Sequence, residues 1–289
     1  MRIKNECIPC VSRQLVELAE KLTQDPVQQE DIILQGLAYI SQGAFQKPAS
    51  ELTGMIYNYA KEVTGNQDPF RDEKTYFNQV ALDLIEKYKL KQRIEMSDSP
   101  LETAIRLAIA GNIIDFSLGH EIKASHVDQA IEECLQANLF GDALEELIEA
   151  IESFESIVVI GDNAGEIVFD QLLVNLIKAK DLVYVVKGGP IVNDATIEDA
   201  LSIGLNNQAR LMDTGMAYQG VVLSQGNQEF LDLLDGNHLV ISKGQANYEC
   251  LNDLNIDNLY FLLRAKCSAV ANEIGCKKMD FVCIKNSLS

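Results

Sequence analysis

Asp162 and Asn163 follow a short apolar run, Ile157 to Ile160, and a single Gly161; they precede Ala164, Gly165, Glu166 and a segment of helical periodicity. An apolar run closed by glycine reads as a buried strand. Its carboxyl end is the edge at which an open α/β sheet binds ligands. A carboxylate and an amide there are oxygen ligands for a hard cation, and a helix start that includes Gly165 offers free N–H groups to a phosphate. Asp194, in Asn193-Asp194-Ala195-Thr196 after the next apolar run, reads as a third oxygen ligand, leaving open positions for water and phosphate. Helix capping is the other reading of these residues, because Asp and Asn are favoured N-caps.

Cations stand at the same predicted edge. Lys187, Lys243, Arg264 and Lys266 each follow an apolar run, and in an acidic chain their gathering points to one cleft for an anion. Lys243, beside Gly244, can set its ammonium on a phosphate while the backbone approaches closely; a solvated surface charge is the alternative. Asp213, before Thr214-Gly215, reads as a turn residue. Asn112 and Asp115 lie three apart in an apolar helical segment, so they share a face and need partners, either in the cleft or between helices. Cys7-Ile8-Pro9-Cys10 is a single C-x-x-C with no second pair to complete a zinc site, so a role near the site and inert buried thiols both stand. The three histidines are isolated, which weakens a Ser-His-Asp reading. Neither G-x-G-x-x-G after a strand nor G-x-x-x-x-G-K-[ST] is present, which argues against a standard dinucleotide site or P-loop.

The elements that position these residues change character midway. Up to about Phe154 the apolar spacing is helical throughout, broken at Asp25-Pro26, Lys47-Pro48, Gly65 to Pro69 and Ser97 to Pro100. Ser99 reads as an N-cap, with Pro100 at the first helical position and Glu102 completing a capping box. From Ser156 onward, strand-like runs (Ile157 to Ile160, Leu182 to Val186, Ala209 to Met212, Leu239 to Ile241, Leu259 to Leu263, Phe281 to Ile284) alternate with helix-like segments. The fold class predicted is α/β: an all-α region over 1–154, then a Rossmann-like α/β/α domain over 155–289 with a mainly parallel sheet that carries the metal site.

The 289 residues suffice for a large core without disulfide or metal. A formal net charge of −19 argues against a broad nucleic-acid-binding face, which needs a basic stripe. Seven cysteines, no membrane-length apolar run and no signal-peptide pattern point to a cytoplasmic protein with reduced thiols and no membrane partner.

Several of these stretches, in this order, resemble one family. They are Asp68-Pro69-Phe70 with Lys74, Gly111 to Asp115, Gly161 to Glu166, Asn193 to Ala195, Lys243 to Asn247 and Arg264-Ala265-Lys266-Cys267. The chain is similar to the metal-dependent damage-control phosphatases, long catalogued as a domain of unknown function. Within them it resembles a prokaryotic subfamily with an N-terminal C-x-x-C, here Cys7 and Cys10, and a Lys-Cys pair, here Lys266 and Cys267. The resemblance implies hydrolysis of small phosphorylated metabolites in a damage-control role, with manganese, nickel, cobalt or magnesium held at Asp162, Asn163 and Asp194. Substrate phosphate would meet Lys243, Lys266, Gly165 and Asn112, while Cys7, Cys10, Cys267, Asp115 and Arg264 would border the site. Catalysis would fall to Asp162, through the cation it holds, and to Lys266, which with Lys243 neutralises charge on the phosphoryl oxygens; an attacking water is preferred to Asp162 as nucleophile, since no D-x-D pattern is present. Two rivals are a carboxylate methyltransferase using S-adenosylmethionine, which a cofactor-binding measurement would reveal, and a non-catalytic metal or nucleotide-binding module.

Overall fold

The structure is a computed structural model that describes residues 1–112 and 131–286. Each of the six apolar runs expected to be a strand forms one: β1 (Ser156–Ile160), β2 (Asp181–Val186), β3 (Arg210–Asp213), β4 (Leu239–Lys243), β5 (Leu259–Arg264) and β6 (Phe281–Lys285). They make one sheet in the order β3-β2-β1-β4-β5-β6, parallel except for β6, which runs antiparallel to β5. This is the doubly wound order, in which the chain reverses direction across the sheet between β1 and β4 and opens a crevice at their carboxyl ends. The central strands are continuously apolar because both faces are covered.

On one face, Ile157, Val159, Tyr184, Val186, Ile241 and Leu262 pack with the helices around α8 (Glu166–Val174) and with the N-terminal helices α4 (Arg71–Lys87), α5 (Leu90–Glu95), α6 (Pro100–Gly111) and α7 (Leu144–Ser153). On the other, Val158, Ile160, Val183, Val185, Phe261 and Leu263 pack with α10 (Gln228–Leu234), α11 (Gln245–Leu251) and α12 (Ser268–Ile274). The six-residue α9 (Ile197–Ser202) follows β2. A separate apolar cluster joins α1 (Cys7–Leu22), α2 (Pro26–Gly43) and α3 (Ala49–Thr64) to one another and to Ile191 of the loop after β2. This bundle sits over the sheet's carboxyl edge: Lys61 donates to the Pro190 carbonyl at 2.9 Å, Asn58 to the Ala217 carbonyl at 3.1 Å, and Ser50 meets Cys250 at 3.2 Å.

Helix limits follow the turn chemistry, α2 opening at Pro26, α3 following Pro48 and ending at a left-handed Gly65, and α6 opening at Pro100. One local expectation is corrected. Ser99 occupies the N-cap position of α6 without a side-chain capping bond, and Glu102 turns instead to Arg106, 2.9 Å away. A charged partner one turn along is the stronger attraction for a carboxylate. Among the described residues no helix is long and apolar enough to cross a membrane.

Candidate active site

Capping does not account for the two aspartates at the strand ends. The N-cap of α8 is Gly165, and the N-cap of α9 is Thr196, which forms a full capping box with Asp199. The loops after β1 and β2 are instead stitched together by backbone bonds. Ala195 N–H donates to the Asp162 carbonyl at 2.8 Å and Ala164 N–H to the Asn193 carbonyl at 2.8 Å, with Asn163 and Asp194 bridged between them. Sheet topology thus sets Asp162, Asn163 and Asp194 side by side in the crevice, although 31 positions separate the first pair from the third.

Behind them lies a buried ionic cluster. Asp162, Glu166, Asp170 and Asp194 are all buried, as are Lys187 and Lys243. The Lys243 ammonium donates to Glu166 at 2.7 Å, to Asp170 at 2.5 Å and to the Ala108 carbonyl at 2.9 Å, which uses all three of its N–H groups. Tyr184 donates its hydroxyl to the other Asp170 oxygen at 2.6 Å. Lys187 donates to Asn247 Oδ1 at 2.8 Å and stands 3.5 Å from Asp194 Oδ2, which has no hydrogen-bond partner among the described residues. The Asn247 amide in turn donates to the carbonyls of Gly161 and Lys243, tying the ends of β1 and β4 to that of β2.

These surroundings set the charges. Burial, and after it the Glu166 carboxylate, pushes the Asp162 carboxyl up to about 7. Burial likewise lifts Asp194 well above the ordinary carboxylate range against the pull of Lys187. Burial works against an ionised Glu166 too, but Lys243 by charge and hydrogen bond, together with Asn112 and Lys266, holds that carboxyl below its ordinary value. Lys266 adds positive charge at the end of β5, lowering both Asp162 and Glu166.

Of the other residues expected at the site, Asn112 ends α6 and donates to Glu166 Oε2 at 2.6 Å, leaving its own buried Oδ1 without a hydrogen-bond partner among the described residues. The Gly165 N–H donates to Asn78 Oδ1 at 2.6 Å, and the Lys243 donors are spent as above, so both are engaged by protein groups where phosphate contacts were expected. Arg264 is turned to β6, donating to the Met279 carbonyl at 3.2 Å with its guanidinium 5.2 Å from the Phe281 ring centre. Burial raises the Cys7 thiol against a backbone hydrogen bond from Lys4, with Glu249 and the neighbouring Cys267 adding to the rise, while Cys10 is exposed. Cys267 accepts from Gln245 Nε2 at 3.6 Å, and Gln245 Oε1 accepts the Lys266 backbone N–H at 3.0 Å. Asp115 lies outside the described residues.

Sequence reasoning missed Glu166, Asp170, Tyr184, Asn247 and Asn78. A signal was there for two of them. In Glu166-Ile-Val-Phe-Asp170 the carboxylates are one turn apart in an otherwise apolar helix, a pair that can be buried only against a cation. Lys74, in one of the resembling stretches, is buried between Asp68 and Asp199, each at 3.0 Å, and so ties α4 to the start of α9.

The donor set fits a hard divalent cation. Four buried carboxylates face two buried ammonium groups, and burial answers the imbalance by raising Asp162 and Asp194, the two that a cation would hold ionised. Asp194 Oδ2 makes no hydrogen bond among the described residues, and Gly244, at φ +82°, lets the Asp162 carboxylate lie against its backbone, since an added Cβ would lie 1.9 Å from Asp162 Oδ2. Among the described residues no three Asp, Glu, His or Cys side chains form a closed cage. Two carboxylates and an amide are an open, oxygen-only set, suited to a cation that keeps positions for water or substrate.

Known proteins resemble the chain over its whole length. A family model described as the damage-control phosphatase ARMT1-like domain matches residues 3–282. Damage-control phosphatase PH1575 of Pyrococcus horikoshii is 32% identical over 290 residues, covering 99% of both chains. A damage-control phosphatase of Archaeoglobus fulgidus is 33% identical over 291 residues, covering 98% of each. The crystal structure of a DUF89 family protein from Pyrococcus horikoshii superposes with a TM-score of 0.87 at 30% identity, covering 99% of this chain and 100% of that one.

Proposed function

The chain belongs to the ARMT1-like damage-control phosphatase family, and from that premise we propose that it hydrolyses small phosphate monoesters in the crevice between β1 and β4, with a divalent cation held by Asp162, Asn163 and Asp194. The observation that carries the reading is that buried carboxylates outnumber buried ammonium groups by two in this cluster, with Asp194 Oδ2 left 3.5 Å from Lys187 and short of a hydrogen bond among the described residues. When bound there, a divalent cation polarises the phosphoryl group and eases deprotonation of a water. Asp162 and Asp194 supply the anionic ligands, and Asn163 a neutral one.

Lys266, half-buried and close enough to lower Asp162 and Glu166, offers charge to the equatorial phosphoryl oxygens as negative charge develops on them. Lys243, sealed behind Glu166 and Asp170, acts on the framework rather than on substrate. The metals proposed are manganese, cobalt, nickel or magnesium, the substrates are small phosphorylated metabolites such as sugar phosphates or nucleotide-related compounds, and the compartment is the cytoplasm.

The test is hydrolysis of an aryl phosphate before and after exhaustive chelation, together with Asp162→Ala. Chelation is expected to abolish turnover and manganese, cobalt or nickel to restore it. Asp162→Ala is expected to lose manganese affinity and turnover together while it still melts cooperatively. Full activity in a metal-free preparation, or an Asp162→Ala protein that binds manganese normally, would remove the site from this crevice.

A further inference from the structure

Two asparagines border the candidate cation site, and an asparagine can present either its carbonyl oxygen or its NH2 group to a ligand; only the oxygen can bind a cation. The choice is made by what faces the other end of each amide. Asn112 Nδ2 donates to Glu166 Oε2 at 2.6 Å, with Asp162 Oδ2 further off at 3.5 Å. Asn163 Nδ2 donates to Asp162 Oδ2 at 2.8 Å and reaches the same Glu166 Oε2 at 3.4 Å. Glu166 Oε2 and Asp162 Oδ2 thus face both amides, Glu166 being the nearer acceptor for Asn112 and Asp162 for Asn163. The other oxygen of Glu166 is fixed by Lys243 at 2.7 Å, and Lys243 is braced in turn by Asp170 and the Ala108 carbonyl. Reversing either amide would set a carbonyl oxygen against carboxylate oxygens in a buried space.

We propose that Glu166 is a positioning residue: clamped by Lys243, it holds the side-chain NH2 group of Asn112 and, together with Asp162, that of Asn163, and so leaves their carbonyl oxygens for the cation and its ligands. The inference rests on the cation reading above and adds what orients its neutral ligands.

The decisive measurement is Mn2+ binding by calorimetry, with thermal melting alongside, on the wild type, E166Q, N112D and the double variant. In E166Q, Lys243 keeps the glutamine carbonyl, so the glutamine NH2 confronts two amide NH2 groups and drives them to turn over. Mn2+ affinity is expected to fall by about tenfold or more, the range in which partners of metal ligands act, with a cooperative melt retained. N112D is expected to weaken binding as well, because its carboxylate would face that of Glu166. The double variant restores both the donor-acceptor match between positions 112 and 166 and the formal charge, and is expected to recover most of the affinity that either single variant loses.

Wild-type affinity in E166Q, or a folded double variant no tighter than E166Q, would overturn the inference. A crystal of the wild-type protein soaked with Mn2+ gives an answer that does not depend on variant folding: Asn163 Oδ1 is expected on the ion, and an Asn163 amide outside the coordination sphere would overturn the proposal. Failure of the wild type to bind any divalent cation overturns the cation reading itself, whereas binding by the wild type with no effect of E166Q removes only the role given to Glu166.

Discussion

Two lysines that read alike in the sequence have different work. Lys243 ends β4 fully buried with its three donors committed, whereas Lys266 is half-buried just beyond β5. Lys243→Met would leave Glu166 and Asp170 buried without their counter-charge, and breaking a buried pair costs about 3–5 kcal/mol. Urea denaturation is expected to show a loss of that order, and a loss near zero would show that the carboxyls are protonated when folded. Lys266→Ala is expected to melt within about 1 kcal/mol of wild type, as surface-side substitutions do. Its kcat/KM should fall by about a hundredfold, the scale for losing one group that stabilises developing charge; unchanged kcat/KM would take Lys266 out of the reaction.

At the scale of elements, the site depends on how closely α6 and α8 cross. Gly111 makes the crossing possible, since a Cβ there would meet Phe169 Cβ at 2.8 Å and Cγ at 3.1 Å. The next residue, Asn112, reaches Glu166 on the facing helix, so spacing and site are coupled. Gly111→Val is expected to cost about 1–3 kcal/mol by overpacking and to weaken Mn2+ binding in the same protein. A variant that loses stability yet binds Mn2+ unchanged would show that Asn112 is not held through this contact. The strands, by contrast, needed no partner to be legible. Their apolar runs were long enough and clearly enough punctuated that each limit moved by only a residue or two. The Ser99 capping box failed because a competing partner for Glu102 lay one turn along, in Arg106.

Across the whole molecule, Glu249 on α11 gives a pH signature away from the candidate site. Burial raises its carboxyl from 4.5 to about 6, partly offset by the hydrogen bond from Gln245. The folded protein therefore holds this proton more tightly than the unfolded chain does, and the stability so gained is present below pH 4.5 and lost as pH rises through about 6. Glu249→Gln keeps a neutral side chain at every pH. It is expected to be more stable than wild type at pH 8 by up to about 2 kcal/mol, the worth of such a shift, with the gap closing by about pH 4. Melting curves of the two proteins across that range test it, and a gap independent of pH would show that Glu249 titrates normally. With a net charge of −19, the chain already carries strong repulsion, so one buried carboxylate fewer acts in the same direction.

The sequence by itself determined the class of fold, the six strands, the breaks between helices and the presence of Asp162, Asn163, Asp194, Lys243 and Lys266 at or just beyond strand ends, because apolar period and turn chemistry are local properties of the chain. Tertiary structure alone decided which of those residues meet. Strand order brings β4 beside β1 and so sets Gly244 against Asp162, 82 positions apart. Burial gives Lys243 to Glu166 and Asp170 instead of to solvent or phosphate, and packing of α6 on α8 hands Asn112 to Glu166. A side chain's partners depend on what arrives from distant segments and on how much water is excluded, and neither is written in the spacing of residues along the chain.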